Sequence, residues 1–292
     1  MRYIQKTGTP SEAAGRKETK AFIDACWCNQ THQYDNLSYD RSRIAALGDV
    51  LVNEQKDDNG NSYCCYCMRR LFLKNTPDGH NRNVTYEHII PHRIKSQEWD
   101  ADKDKYLQFP NLRESHITLC FDGELTEEQR KSRITGMPYP HFISYHNLVA
   151  SCDGITFEEQ TLQSSRCCNN CRQERFVMPV YLSPGLSDGI TYTSKGELDY
   201  DDTVYDSRWF DRRHLNLTNA WITLVRRIWY KVAKSAYSDM DVEKARTDKE
   251  LRQNIIDDID SNNEIASWNE SDPAWNLFAE YNWFYGYYTS GL

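Results

Sequence analysis

Tyr86-Glu87-His88-Ile89-Ile90-Pro91-His92-Arg93 is the stretch on which fold and chemistry both turn. Val84-Thr85-Tyr86 has the β-branched and aromatic content of a strand, which puts Glu87 and His88 at a strand end. There an imidazole can take a proton from water while the adjacent carboxylate holds a divalent cation over a phosphate. Such a pair is common by chance, and its bland reading is a surface histidine beside a surface glutamate. A zinc hydrolase using His88 as ligand would need histidines at helical spacing, as in HExxH. His88 and His92 are four apart, but Pro91 between them argues against a helix.

Cysteines flank this stretch on both sides. Eight of the ten lie between Cys64 and Cys171, in tight groups. Cys64-Cys65-Tyr66-Cys67 contains one CxxC and Cys167-Cys168-Asn169-Asn170-Cys171 a second. Two such knuckles can offer four thiolates at tetrahedral reach, a metal framework rather than a disulfide one. Cys26, Cys28 and Cys120 read as small buried hydrophobes.

Further out, helical periodicity marks Ser11 to Trp27, and Ile44, Leu47 and Leu51 mark a second helix before the turn Asp57-Asp58-Asn59-Gly60. Ser62 to Phe72 suits a short hairpin or zinc ribbon, and Pro77-Asp78-Gly79 a turn. Leu125 to Ile134 suits a helix on an inserted excursion. A long helix is predicted from Leu215 to Tyr237, with Trp221, Val225, Ile228, Val232 and Ala236 on one face, and another from Val242 to Ile259. Four segments follow: a helical arm over 1–60, a catalytic module with insertions over 61–180, a linker of strands and loops over 181–213, and a helical, acidic and aromatic region over 214–292.

The formal charge of -8 is placed unevenly. Ser238 to Leu292 holds 12 acidic and 4 basic residues, so the remainder is neutral. Between Tyr63 and Lys95, Arg69, Arg70, Lys74, Arg82, Arg93 and Lys95 outnumber Asp78 and Glu87, a local excess suited to phosphates. The opening residues contain no apolar run of the export type, and no stretch approaches the roughly 18 apolar residues of a membrane span. The expectation is a soluble, cytoplasmic protein with no membrane role.

Downstream come Tyr145-His146-Asn147-Leu148-Val149-Ala150-Ser151-Cys152 and then Cys168-Asn169-Asn170-Cys171-Arg172. In order, CxxC, acid-His-Ile-Ile-Pro, Asn-Leu-Val with a cysteine five residues past the Asn, and Cys-Asn-x-x-basic, the chain resembles the zinc-bearing branch of the HNH endonuclease family. The resemblance implies an α+β fold: a ββα-metal finger with structural zinc knuckles, flanked by N-terminal and C-terminal α-helices. It implies His88 as general base and Glu87 in place of the usual metal-binding aspartate. Asn147 would fix the loop carrying His88, and Asn169 would be the second ligand of a catalytic Mg2+ or Mn2+. Family spacing selects Cys64, Cys67, Cys152 and Cys168 for a structural Zn2+, whereas the plain double-CxxC reading brings in Cys171. Arg69, Arg70, His92, Arg93 and Arg172 are the expected nucleic-acid contacts. The bland alternatives are Asn147 capping a helix that begins at Leu148, Asn169 in a turn, and His92 and His146 as phosphate-side or structural rather than catalytic residues.

The chain departs from the family pattern in three ways. Glu87 is one methylene longer than aspartate, Arg172 replaces the usual lysine, and the gaps from His88 to Asn147 and from Cys152 to Cys168 are long, so insertions must loop out. Within the family, Met1-Arg2-Tyr3-Ile4, Lys6 and Asn-Leu-Val-Ala-Ser-Cys-Asp-Gly are similar to the PtuB-type nucleases of bacterial antiphage Septu and retron-linked systems. That resemblance implies cleavage of DNA, or of tRNA, beside a PtuA-like SMC/ABC-type ATPase partner. Trp268, Trp275, Trp283, Phe284 and Tyr285 are then either a docking surface for it or the end of the helical core. The rival class is a zinc-ribbon nucleic-acid-binding or scaffold subunit without catalysis.

Overall fold

Strand β1 (Val84–His88) is joined to a strand 60 residues later in register, β4 (Leu148–Cys152), by antiparallel pairing that sets Val84 opposite Cys152 and His88 opposite Leu148. The computed structural model of the chain describes residues 1–27, 45–77, 80–121, 136–155, 166–172, 174–245, 247–259 and 278–290. Among these the architecture is mixed α/β, with helices around three two-stranded sheets. Between β1 and β4 run helix α3 (Ser96–Leu107) and the short parallel pair β2 (Ile117–Thr118) and β3 (Tyr139–Pro140). After β4 comes the one-turn helix α4 (Asn169–Arg172).

The N-terminal helices back this unit. Helix α1 (Pro10–Trp27) lies against the 3-10 turn Tyr145–Asn147: a Cβ on Gly15 would fall 2.2 Å from the Tyr145 ring, so only glycine permits the approach. Thr19 Oγ1 accepts the Tyr145 amide hydrogen at 3.1 Å. Helix α2 (Ala45–Asn53) packs on β4, and Gly48 leaves room for the Tyr86 hydroxyl. Beyond its end, buried Gln55 donates to Tyr63 O and Ala150 O and accepts from Ala150 N, stitching the first knuckle to the sheet. Lys6 pairs with Glu54 at 2.5 Å in the interior, and Glu54 also accepts from the Tyr145 hydroxyl.

The C-terminal half joins the same core. The residues over 181–213 contain the short helix α5 (Pro184–Asp188) and the pair β5 (Thr191–Tyr192) and β6 (Leu198–Asp199), but they are not a linker. Tyr181, Leu182, Ile190, Tyr192, Tyr205 and Phe210 are buried in the main hydrophobic cluster, and such apolar content would be costly in a solvated connection. Helix α6 (Ala220–Ala233) is shorter than its periodicity predicts, because Asn219 caps it by accepting the Ile222 amide hydrogen. Its apolar face packs on α9 (Trp283–Thr289), with α7 (Asp239–Lys244) and α8 (Lys249–Ile259) alongside. The single helix expected over Val242–Ile259 is thus two, the first opened by a Ser238–Asp241 capping box. Phe284 is fully buried, and Trp283 and Tyr285 pack against the cluster, so these three finish the core rather than form an exposed docking surface. Trp268, Trp275, the helix expected at Leu125–Ile134, the Asp78-Gly79 turn and Cys28 lie outside the described residues. No helix among the described residues is long and apolar enough to cross a membrane.

Candidate functional site

The four cysteines at positions 64, 67, 152 and 168 converge. All are buried, and their sulfur atoms lie within 4.8 Å of one another. Cys64 and Cys168 sulfurs are 3.8 Å apart, and those of Cys67 and Cys152 3.6 Å. With Zn–S bonds of about 2.3 Å, tetrahedral ligation requires sulfur separations of about 3.8 Å, so the donor set fits a structural metal such as zinc. The backbone shapes both knuckles: Cys64 N–H donates to Arg69 O, Met68 takes φ 65°, and Cys168 takes φ 55°. Cys171 is not part of the set, because its sulfur turns to Arg166 O. Cys152 is the ligand the double-CxxC reading would omit, and the β1–β4 register delivers it. The Tyr281 hydroxyl lies 3.9 Å from the Cys67 sulfur, an outer contact from the far end of the chain.

His88 ends β1 and is nearly buried. Its Nε2 lies 2.9 Å from Phe142 O. A carbonyl only accepts, so this nitrogen carries the proton and the lone pair of the neutral ring is on Nδ1. Burial lowers its pKa to about 3, a shift deepened by His92, His141 and Arg172, which leaves the ring neutral at pH 7. The half-buried His92 ring sits 5.3 Å away and meets Phe142 edge-on.

Asn147 is not a helix cap, since Leu148 begins a strand. Its Oδ1 accepts the Ile90 amide hydrogen at 2.7 Å, and its Nδ2 donates to Ile90 O and His141 O, both at 2.9 Å. One buried amide therefore fixes the loop that follows His88 to the loop that precedes β4. His141, unremarked in sequence, adds a second tie: its Nε2 meets Pro91 O at 3.2 Å, and its Nδ1 accepts the Cys120 amide hydrogen at 3.2 Å.

Glu87 points to the opposite face of β1, as strand alternation requires. It is buried, and its carboxylate is bound by the equally buried Arg172 guanidinium. Arg172 also donates to His88 O at 2.5 Å, Ile89 O at 2.6 Å and Arg175 O at 3.0 Å. Burial raises the Glu87 pKa, and Arg172 opposes that shift. Asn169, at the start of α4, reaches Thr85 Oγ1 on the same face at 3.4 Å.

Two expected nucleic-acid contacts are thereby corrected. Arg172 is an internal clamp. Arg69 is also internal, because its guanidinium donates to Glu280 at 2.5 Å, Asp153 at 3.0 Å and Ile155 O at 2.7 Å. Both guanidinium groups are buried and held by internal partners. Arg93 is exposed, while Arg70 and His92 are half-buried, so the outward basic groups near His88 are fewer than the sequence count suggests. No protein-family model, no curated protein and no solved structure matches the chain.

Proposed function

We propose that the chain is an endonuclease of the HNH type, hydrolysing phosphodiester bonds in DNA, with tRNA as the alternative substrate. The observation that carries this reading is the pairing of His88 with Asn147: a neutral, tautomer-fixed imidazole at a strand end, followed by a loop that a buried asparagine holds in place. The β1–β4 pair, the short α4 and the cysteine set beside them support the reading, since the resemblance calls for two strands, a helix and a zinc knuckle.

In this mechanism His88 Nδ1 takes the proton of the attacking water. Phe142 O orients the ring, and Asn147 keeps the loop from drifting. Arg93 and His92, on the loop after His88, would meet the phosphate in this reading. Cys64, Cys67, Cys152 and Cys168 would hold a zinc ion, which would tie β4 to the first knuckle and the start of α4 and supply structure rather than chemistry. The Mg2+ or Mn2+ expected at Glu87 and Asn169 does not fit this arrangement, since the Arg172 guanidinium already neutralises the carboxylate that would hold it. No step is routed through a metal there.

Bacterial antiphage defence beside a PtuA-like SMC/ABC-type ATPase is the setting the resemblance supplies. The second reading, a zinc-ribbon nucleic-acid-binding or scaffold subunit, is favoured by one observation, the closure of Glu87 by Arg172. The experiment that separates them incubates plasmid DNA and tRNA with the full zinc-loaded chain in Mg2+ or Mn2+, with and without a companion ATPase, comparing wild type with His88→Ala. The nuclease reading expects cleavage that falls about 10²–10⁴-fold in the variant while zinc content and fold are kept. Equal cleavage by both proteins, or nucleic-acid binding without cleavage by the wild type, overturns it in favour of the binding subunit.

A further inference from the structure

Away from the cysteines, Glu12, His116 and His146 bring three more ligand atoms within 4.8 Å of one another. They come from three separate parts of the chain: the first turn of α1, the loop entering β2, and the 3-10 turn before β4. His146 is fully buried, and its Nε2 lies 3.0 Å from Glu12 Oε1. His116 Nδ1 lies 4.0 Å from the same oxygen, and the two imidazole rings are 4.4 Å apart at their centroids. The other carboxylate oxygen, Oε2, accepts the Gly8 amide hydrogen at 2.7 Å, which turns Oε1 toward the histidines.

An internal Glu–His ion pair would account for His146 alone. It leaves His116 Nδ1 unexplained, because that atom is shielded from solvent and has no hydrogen-bond partner. A buried ring nitrogen without a partner is destabilising. The Nδ1 of His146 has no partner either.

The geometry points to a second metal site, distinct from the cysteine set, in which Glu12 Oε1, His116 Nδ1 and His146 Nε2 hold a borderline divalent transition metal such as Zn2+. Two imidazoles and one carboxylate are a donor set of that class. With metal–ligand distances of about 2.0–2.2 Å, small rotations of the His116 and Glu12 side chains bring all three atoms onto one ion. Both side chains are partly exposed, so water can complete the coordination. The ion ties α1 to the turn that carries Asn147. That turn is itself braced by Asn111, whose Nδ2 donates to His146 O at 2.8 Å. The site is a strap and takes no part in the proposed hydrolysis.

The test measures bound zinc in the full chain, after equilibration with excess Zn2+ and removal of loosely held ion by a weak chelator. Wild type is expected to keep two zinc ions per chain, and His116→Ala and Glu12→Gln one each, with the circular dichroism spectrum unchanged. Affinity for the second ion should fall by more than about tenfold in either variant, since even outer-shell partners contribute that much. Replacing zinc by Co2+ distinguishes the sites: the cysteine set shows thiolate-to-metal charge transfer, and the second ion adds only weak visible bands that both variants abolish. A wild type that keeps one ion, or a second ion that both variants keep with unchanged affinity, overturns the assignment.

Discussion

Replacing Asn147 by alanine removes three hydrogen bonds at once and leaves their partners, Ile90 N, Ile90 O and His141 O, without the side chain that met them. Asn147 is fully buried, so water does not replace it at no cost. At about 1–1.5 kcal/mol for each bond, the loss comes to about 3–5 kcal/mol, a large share of the stability of an ordinary domain. Urea unfolding of the zinc-loaded full chain, followed by tryptophan fluorescence, measures it as a shift in midpoint at constant slope. Asn111→Ala is the internal comparison, because its buried amide makes a single bond, to His146 O, and should cost about 1 kcal/mol. If Asn147→Ala lies within about 1 kcal/mol of wild type, or matches Asn111→Ala, the loop after His88 is held by something other than this amide, and the positioning argument for His88 fails with it.

Two further predictions concern charge in the interior. His88 and His141, with pKa values lowered to about 3 and about 4 by burial, are neutral when folded but titrate near 6.5 when unfolded. The unfolded chain therefore binds more protons below pH 6.5, and stability present above that pH is lost as it falls; from pH 6.5 to 4.5 the two rings together account for up to about 5 kcal/mol. Replacing His141 by glutamine should flatten the pH dependence of the urea midpoint over that range, and an unchanged slope would count against the burial argument. Glu280→Ala strands the Arg69 guanidinium with Asp153 as its remaining carboxylate partner, so the urea midpoint should report a loss of about 3–5 kcal/mol, whereas a near-neutral result would mean that Arg69 relaxes to solvent.

The elements that the sequence disclosed were those written in local pattern. β1 follows from its β-branched run, the converging set Cys64, Cys67, Cys152 and Cys168 from the spacing that the family resemblance supplies rather than from the two CxxC pairs alone, and the α6 face from its 3.6-residue period. What escaped was set by distance along the chain. Arg69 and Arg172 looked like phosphate contacts because a charged residue read in isolation belongs to the surface; their partners Glu280 and Glu87 stand 211 and 85 residues away. The orienting partner of His88 is a backbone carbonyl, which any residue at position 142 would supply. Gln55 carries no motif, and its role exists only once α2 lies on β4. The segment over 181–213 was misread because Gly, Ser and Asp between its aromatics suggest solvated turns, while the aromatics themselves fill the core.

The Glu280 contact also bears on the order in which the protein comes into being. The first knuckle and β4 emerge from the ribosome long before residues 278–281, yet Arg69 finds its closest carboxylate, and Cys67 its neighbouring hydroxyl, only in that late segment. An N-terminal portion that collapses as it is made holds Arg69 through Asp153 and Ile155 O, without its closer carboxylate, until synthesis has passed Tyr281. For a chain with the chemistry proposed above, the working shape around the cysteine set waits on residues 278–281.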